Sequence, residues 1–248
     1  DEINTTSRRN KLKNVILSPS LKATADLKHC ITHTDAIILC VPSCYLATLL
    51  KSIKPFLNSK TPILSLIKGI VSEDYIFIHD YCKNMIGDFN YSILSGPNLA
   101  LEIAHQKPAA AVVASHNSDS LQLFQHILSN KIFRIYTSND VIGVSCGGIL
   151  KNIFAIASGC IDALDLGHNT KATLITRALN EMIQFSTFYG ADSKTLHGLS
   201  GLGDLIATCH SSLSRNYQYG FLLAQGKTIQ AIQKDLNAIA EGVQSTKF

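Results

Sequence analysis

Paired CxxC cysteines, basic runs, low-complexity tracts and internal repeats are all missing from this 248-residue chain, and only 16% of its residues are charged. Without CxxC spacing, and with an odd total of seven cysteines set mostly in apolar surroundings, a disulfide framework is not expected. Reduced thiols in a cytoplasmic protein are the better expectation. Without a basic run, a net charge of +4 spread along the sequence leaves no footprint for nucleic acid. Residues 1–10 are polar and lack the apolar core of a secretory leader. His29 and His33 would share a helical face beside Cys30, but no third ligand follows at a zinc-like spacing, so no metal is expected. What is present, a hydrophobic fraction of 46%, argues for a globular fold rather than disorder.

One stretch, residues 141–161, has the length and apolarity of a membrane span. Lys151 and Asn152 sit at its centre, and Asp140 and Asp162 bound it. A charge at that depth in lipid costs on the order of several kcal/mol, so membrane insertion is not expected and a buried helix is.

From Leu21 to Thr137, short β-branched runs alternate with amphipathic stretches, the pattern of βαβ units and a parallel sheet. Strands are expected at 36–41, 62–67, 91–94, 109–114 and 133–136, as continuous apolar runs covered on both faces. Helices are expected near 44–54, 74–86, 98–105 and 118–129. After Tyr136 the periodicity becomes helical, over 140–164, 171–189, a short segment past Gly203, 215–224 and 228–236. The fold class is therefore α/β, a partial Rossmann-type sheet domain over 1–137 followed by an all-helical domain over 138–248.

Chemistry concentrates at a few positions. Lys151 is the only charged side chain between Asp140 and Asp162, and it shares a helical face with Gly147 and Gly148. Those glycines are expected to leave room for a ligand beside an ammonium whose pKa burial lowers, the condition for proton transfer by lysine. The bland alternative is a lysine that snorkels to the surface. Lys68 stands past a strand end, the edge where open α/β sheets bind ligands. Ser95-Gly-Pro-Asn98 follows a strand and opens a helix, either as an anion-facing turn or as a plain turn capped by Asn98. Gly198-Leu-Ser-Gly-Leu-Gly-Asp204 brings a carboxylate to a helix start, as an active-site group or a helix cap. Ser214-Arg215-Asn216 offers a guanidinium fork with hydroxyl and amide partners, a set suited to phosphate oxygens.

In order and spacing these motifs, together with Val41-Pro-Ser43, Lys68-Gly69, Gly148-Ile-Leu-Lys-Asn152, Asn169-Thr-Lys-Ala172, Thr176-Arg-Ala, Thr208-Cys209 and Glu241-Gly, resemble the bacterial-type NAD(P)-dependent glycerol-3-phosphate dehydrogenase family. The resemblance implies reversible reduction of dihydroxyacetone phosphate to sn-glycerol 3-phosphate with NAD or NADP, feeding glycerophospholipid synthesis. It implies Lys151 as catalytic acid/base and Lys68, Gly96, Asn98, Asp204, Ser214, Arg215 and Asn216 as substrate contacts. It implies Lys68, Ala100, Arg215, Ile239 and Glu241 as cofactor contacts, and leaves room for a homodimer. The family's opening strand and GxGxxG turn have no counterpart here, and the expectation is an incomplete chain at both ends. Two competing readings accompany it: a non-catalytic remnant that binds a phosphorylated substrate but no cofactor, and a related dehydrogenase of the 6-phosphogluconate type.

Overall fold

A computed structural model describes residues 2–9, 12, 14–71, 77–236 and 240–246. The apolar runs form one five-stranded sheet in sequence order, β1 (Ile37–Leu39), β2 (Ile63–Ser65), β3 (Tyr91–Ser95), β4 (Ala109–Ser115) and β5 (Phe133–Ser138). Helices α1 (Glu2–Thr6), α2 (Leu27–Thr32), α3 (Ser43–Ile53), α4 (Ile78–Ile86), α5 (Ala100–Ala104) and α6 (Ser118–Leu128) precede or separate the strands. Beyond β5 the described residues are helical: α7 (Val141–Ala163), α8 (Gly167–Phe188), α9 (Ser193–His197), α10 (Asp204–His210), α11 (Arg215–Ala224), α12 (Ile229–Leu236) and α13 (Glu241–Ser245). Capping side chains start several of them. Asn117, Asp140, Asp192 and Ser214 each accept a backbone N–H at the first turn of α6, α7, α9 and α11.

Alternation along the strands divides the core. Ile37, Leu39, Ile63 and Ile93 point to one face, where Leu46, Leu50 and Ile53 of α3, Ile78 of α4 and Val141 and Val144 of α7 cover them. Leu64, Leu94, Val113 and Ile135 point to the other, under Leu121 and Phe124 of α6. Each fully buried aliphatic or Phe side chain contributes about 1.5–3 kcal/mol. The first turns of α7 therefore belong to the sheet's core even though the helix continues away from it.

The structure corrects four sequence expectations. The sheet is not wholly parallel, because β3 and β4 pair antiparallel while the other neighbours are parallel. Five residues of α5 rise only about 7.5 Å, too little to carry the chain back along β3, so β4 starts at the end where β3 stopped. Second, β5 is an edge strand exposed along much of its length rather than a run buried on both faces, with Arg134 lying 5.0 Å over the ring of Tyr136. Third, α5 begins at Ala100 instead of 98, since Asn98 is engaged elsewhere. Fourth, α8 starts a turn earlier than 171, at Gly167, whose φ of +78° is the left-handed conformation glycine tolerates. The first part of the helix expected over 74–86 lies outside the described residues; α4 accounts for the rest.

Helix α7 is the one helix among the described residues long and apolar enough to cross a membrane, and most of its apolar surface is buried in this fold. Helix α11 crosses it at two reciprocal glycines. A Cβ on Gly220 would lie 1.8 Å from the Ile156 carbonyl oxygen, and one on Gly159 would lie 2.0 Å from that of Tyr217. Backbone cannot yield as a flexible side chain can. Gly220→Ala is accordingly expected to destabilise the protein by about 1–3 kcal/mol, read as a lower denaturation midpoint; an unchanged midpoint would show that the crossing is loose.

Candidate active site

The face of α7 that carries Gly147, Gly148 and Lys151 is packed by protein, not left open. A Cβ on Gly147 would sit 2.2 Å from the Ser200 carbonyl oxygen, and one on Gly148 would sit 2.9 Å from Ser95 Oγ and 3.2 Å from Lys68 Cγ. The expected room for a ligand beside these glycines is thus occupied. Their smallness admits two other segments instead. One is the π-helical turn Leu199–Gly203, which delivers Asp204 at the start of α10; the other is the stretch after β2 that carries Lys68.

Asp204 lies between the two lysines. Lys151 Nζ donates to its Oδ1 at 2.5 Å and to Thr208 Oγ1 at 2.9 Å, while Lys68 Nζ donates to its Oδ2 at 2.7 Å. Thr208, one turn along α10, donates to the same Oδ1, and the Ser95 hydroxyl is 3.4 Å from Oδ2. Lys151 and Asp204 are 7% and 2% exposed, which excludes a lysine that snorkels outward. Loss of hydration pushes the Lys151 ammonium down to about 8, helped by the like charge of Lys68 and resisted by Asp204. Burial would raise the Asp204 carboxyl, but the charges and hydrogen bonds of Lys151 and Lys68 outweigh it and hold the group below the ordinary carboxylate range. The result is a poised amine fixed by a permanent anion.

Above this pair opens a cleft of about 440 Å³ between the carboxyl ends of β1 and β2 and the first turns of α5 and α11. Lys68, Asn98, Ala100, Lys151, Ser214, Arg215, Asn216 and Glu241 all border it, so the fold gathers most of the residues singled out from sequence. Gly96, with φ at +149°, and Asn98 hold Lys68 through a carbonyl at 3.2 Å and Oδ1 at 3.0 Å; Asn98 does not cap α5. Ser214 Oγ caps α11 by accepting the Tyr217 N–H. The Asn216 amide is largely committed, donating to Asn152 Oδ1 at 2.9 Å and accepting from Gly242 N at 2.9 Å. Glu241 accepts from the backbone N and the hydroxyl of Ser43, at the start of α3. Arg215 is exposed at the rim, and among the described residues nothing pairs with its guanidinium. Ile239 lies outside the described residues.

Three participants stand in motifs quoted for the resemblance but receive no role from the sequence. Thr208 orients Lys151, and its spacing of four from Asp204 on one helix face was the available signal. Asn152 joins the Lys68 carbonyl, at 3.0 Å, to Asn216. Ser43 meets Glu241 across a separation of 198 residues, for which no local pattern exists.

Such a site can hold an anion at Arg215 and exchange a proton at Lys151. Val41, Pro42, Leu66 and Ile67 give the same cleft an apolar wall that suits a flat heterocycle. Family models described as the N-terminus and the C-terminus of NAD-dependent glycerol-3-phosphate dehydrogenase match residues 1–121 and 140–248. A glycerol-3-phosphate dehydrogenase [NAD(P)+] of Acinetobacter baylyi is 43% identical over 246 residues, which are 99% of this chain and 69% of that protein. The crystal structure of the Coxiella burnetii glycerol-3-phosphate dehydrogenase is similar over 100% of this chain and 76% of its own, at 35% identity and a TM-score of 0.95. The Dunaliella salina structure titled DsGPDH gives a TM-score of 0.92 at 28% identity, over 99% of this chain and 44% of its own.

Proposed function

This chain belongs to the NAD-dependent glycerol-3-phosphate dehydrogenase family, and from that premise we propose how its cleft performs NAD(P)-dependent interconversion of dihydroxyacetone phosphate and sn-glycerol 3-phosphate. The observation that carries the reading is a buried Lys151 ammonium, held by Asp204 and Thr208 beneath a cleft rimmed by Arg215. The product is the phosphorylated backbone of glycerophospholipids, and the reaction is cytoplasmic.

In the direction of reduction, negative charge grows on the ketone oxygen. The Lys151 ammonium stabilises it and then delivers a proton. Asp204 and Thr208 fix the direction of Nζ, so the donor needs no reorganisation as charge develops. Arg215 grips the substrate phosphate through charge-assisted bonds, with the Ser214 hydroxyl beside it. Lys68, tied down by Gly96, Asn98 and Asp204, adds a second positive charge on the strand side. The nicotinamide, when bound, supplies the hydride. The apolar wall of Val41, Pro42, Leu66 and Ile67 is chemically suited to it, with Ala100, Arg215 and Glu241 alongside. The sheet unit over 1–137 serves the dinucleotide, and the helices over 138–248 supply the proton-transfer and phosphate-holding groups.

Loss of NADH or NADPH absorbance on adding dihydroxyacetone phosphate tests the activity; no substrate-dependent loss with either cofactor would refute it. Arg215→Ala is expected to raise KM for dihydroxyacetone phosphate by about 10- to 100-fold, the scale of a lost hydrogen-bonded charge pair, with a smaller fall in kcat. Steady-state kinetics check this, and an unchanged KM would remove Arg215 from the phosphate site.

A further inference from the structure

The run Asn169-Thr-Lys171 takes no part in the chemistry above, yet Lys171 is buried on the second turn of α8. Its ammonium lies 2.5 Å from Asp162 Oδ2 at the end of α7, and the Tyr217 hydroxyl of α11 donates to the same oxygen at 2.5 Å. The ammonium also stands 5.2 Å from the centre of the Tyr217 ring, in cation–π geometry. Three helices therefore meet at one carboxylate. Burial would raise the Asp162 carboxyl, but the bonds from Lys171 and Tyr217 keep it below the ordinary range, so it remains an anion that both can hold.

Tyr217 belongs to the first turn of α11, two residues after Arg215. Since no partner holds the Arg215 guanidinium among the described residues, its aim depends on where that first turn sits. The turn is fastened on the cleft side by Ser214 and by the Asn216 amide on Asn152 and Gly242. Away from the cleft lining, the Tyr217 phenol fastens it to Asp162 of α7, while the Gln218 amide ties the same turn to the Ser212 carbonyl in the approach to the helix. We propose that Lys171, Asp162 and Tyr217 form a positioning cluster that locks the rotation of the first turn of α11 and so presents Arg215 to the substrate phosphate. These residues act through Arg215 and touch neither substrate nor cofactor. The inference rests on the reading of Arg215 as the phosphate holder.

Tyr217→Phe keeps the ring and its contact with Lys171 and deletes only the hydroxyl. KM for dihydroxyacetone phosphate should rise about three- to tenfold, the loss expected from one hydrogen bond's worth of positioning, with kcat and the KM for NADH changed by less than about twofold. Asp162→Asn should move KM in the same direction, and Lys171→Arg, which restores a cation against Asp162, should stay near wild type. An unshifted KM in both Tyr217→Phe and Asp162→Asn would overturn the proposal, as would a fall in kcat at constant KM. Arg215→Ala, assayed alongside, separates the two levels. If it raises KM while Tyr217→Phe does not, the cluster's role alone is wrong; if it leaves KM unchanged, the phosphate assignment fails and the cluster's role fails with it.

Discussion

Lys151→Ala is expected to lower turnover by at least about a hundredfold, the scale of a lost, positioned acid/base group, while the protein still folds. Both halves of that expectation follow from Asp204. Truncating Lys151 removes the proton donor, yet the carboxylate keeps Lys68 at 2.7 Å and the Thr208 hydroxyl at 3.2 Å, so no isolated buried charge remains. The wild-type pH profile should carry the same group. With the ammonium at about 8, reduction of dihydroxyacetone phosphate, which needs the protonated amine, should fall as pH rises through 8. Oxidation of glycerol 3-phosphate needs the neutral amine and should rise across the same interval. Single-turnover rates in both directions decide the matter. Full turnover in Lys151→Ala, or an alkaline limb that survives the substitution, would end the assignment.

Asp204→Asn should do wider damage. An amide of the same shape leaves the Lys151 and Lys68 ammonium groups facing one another without their shared counter-ion. Breaking a buried ion pair from one side costs about 3–5 kcal/mol, measurable as a lower midpoint in denaturant. The sign of the pH dependence follows from the direction of the carboxyl's shift. Because the folded protein holds Asp204 below its ordinary value of 3.8, its stabilisation is complete above that value and is lost as pH falls beneath it. The part of the stability gap between wild type and Asp204→Asn that the carboxylate supplies should therefore shrink in acid. Activity should change as well. Asp204 is what raises the Lys151 pKa against burial and Lys68, so the alkaline limb should move to lower pH in the variant. A variant as stable as wild type, with an unmoved limb, would mean that Asp204 does not hold the lysines.

Much of this site is written in local pattern. The lone ammonium of the 141–161 stretch, the glycine-rich approach to Asp204 and the Ser-Arg-Asn tripeptide were each visible as departures from their surroundings; Lys151 and the tripeptide border one cleft, and the glycine-rich turn brings Asp204 to Lys151 from behind that lining. Where local pattern misled, the cause was packing. Gly147 and Gly148 read as space for a ligand, but space on a helix face is filled by whichever segment comes nearest, and here that is the Ser200 carbonyl and the Lys68 stem. Asn98 read equally well as a helix cap, and its use to hold Lys68 depended on a strand end 30 residues away. The antiparallel turn of β4 depended on the length of α5, a boundary that periodicity does not set.

What the amino-acid sequence determined alone is the succession of strands and helices and the residue types able to handle a phosphate and a proton, because hydrophobic period, capping and side-chain chemistry are local properties. The tertiary structure decided that Lys151, Lys68 and Asp204 share one carboxylate although 53 and 136 positions separate the paired residues. It decided too that the lysine is a poised amine rather than a solvated one. Both follow from the close backbone approach at the glycines of α7, which strips water from the ammonium and leaves a buried anion as its nearest partner.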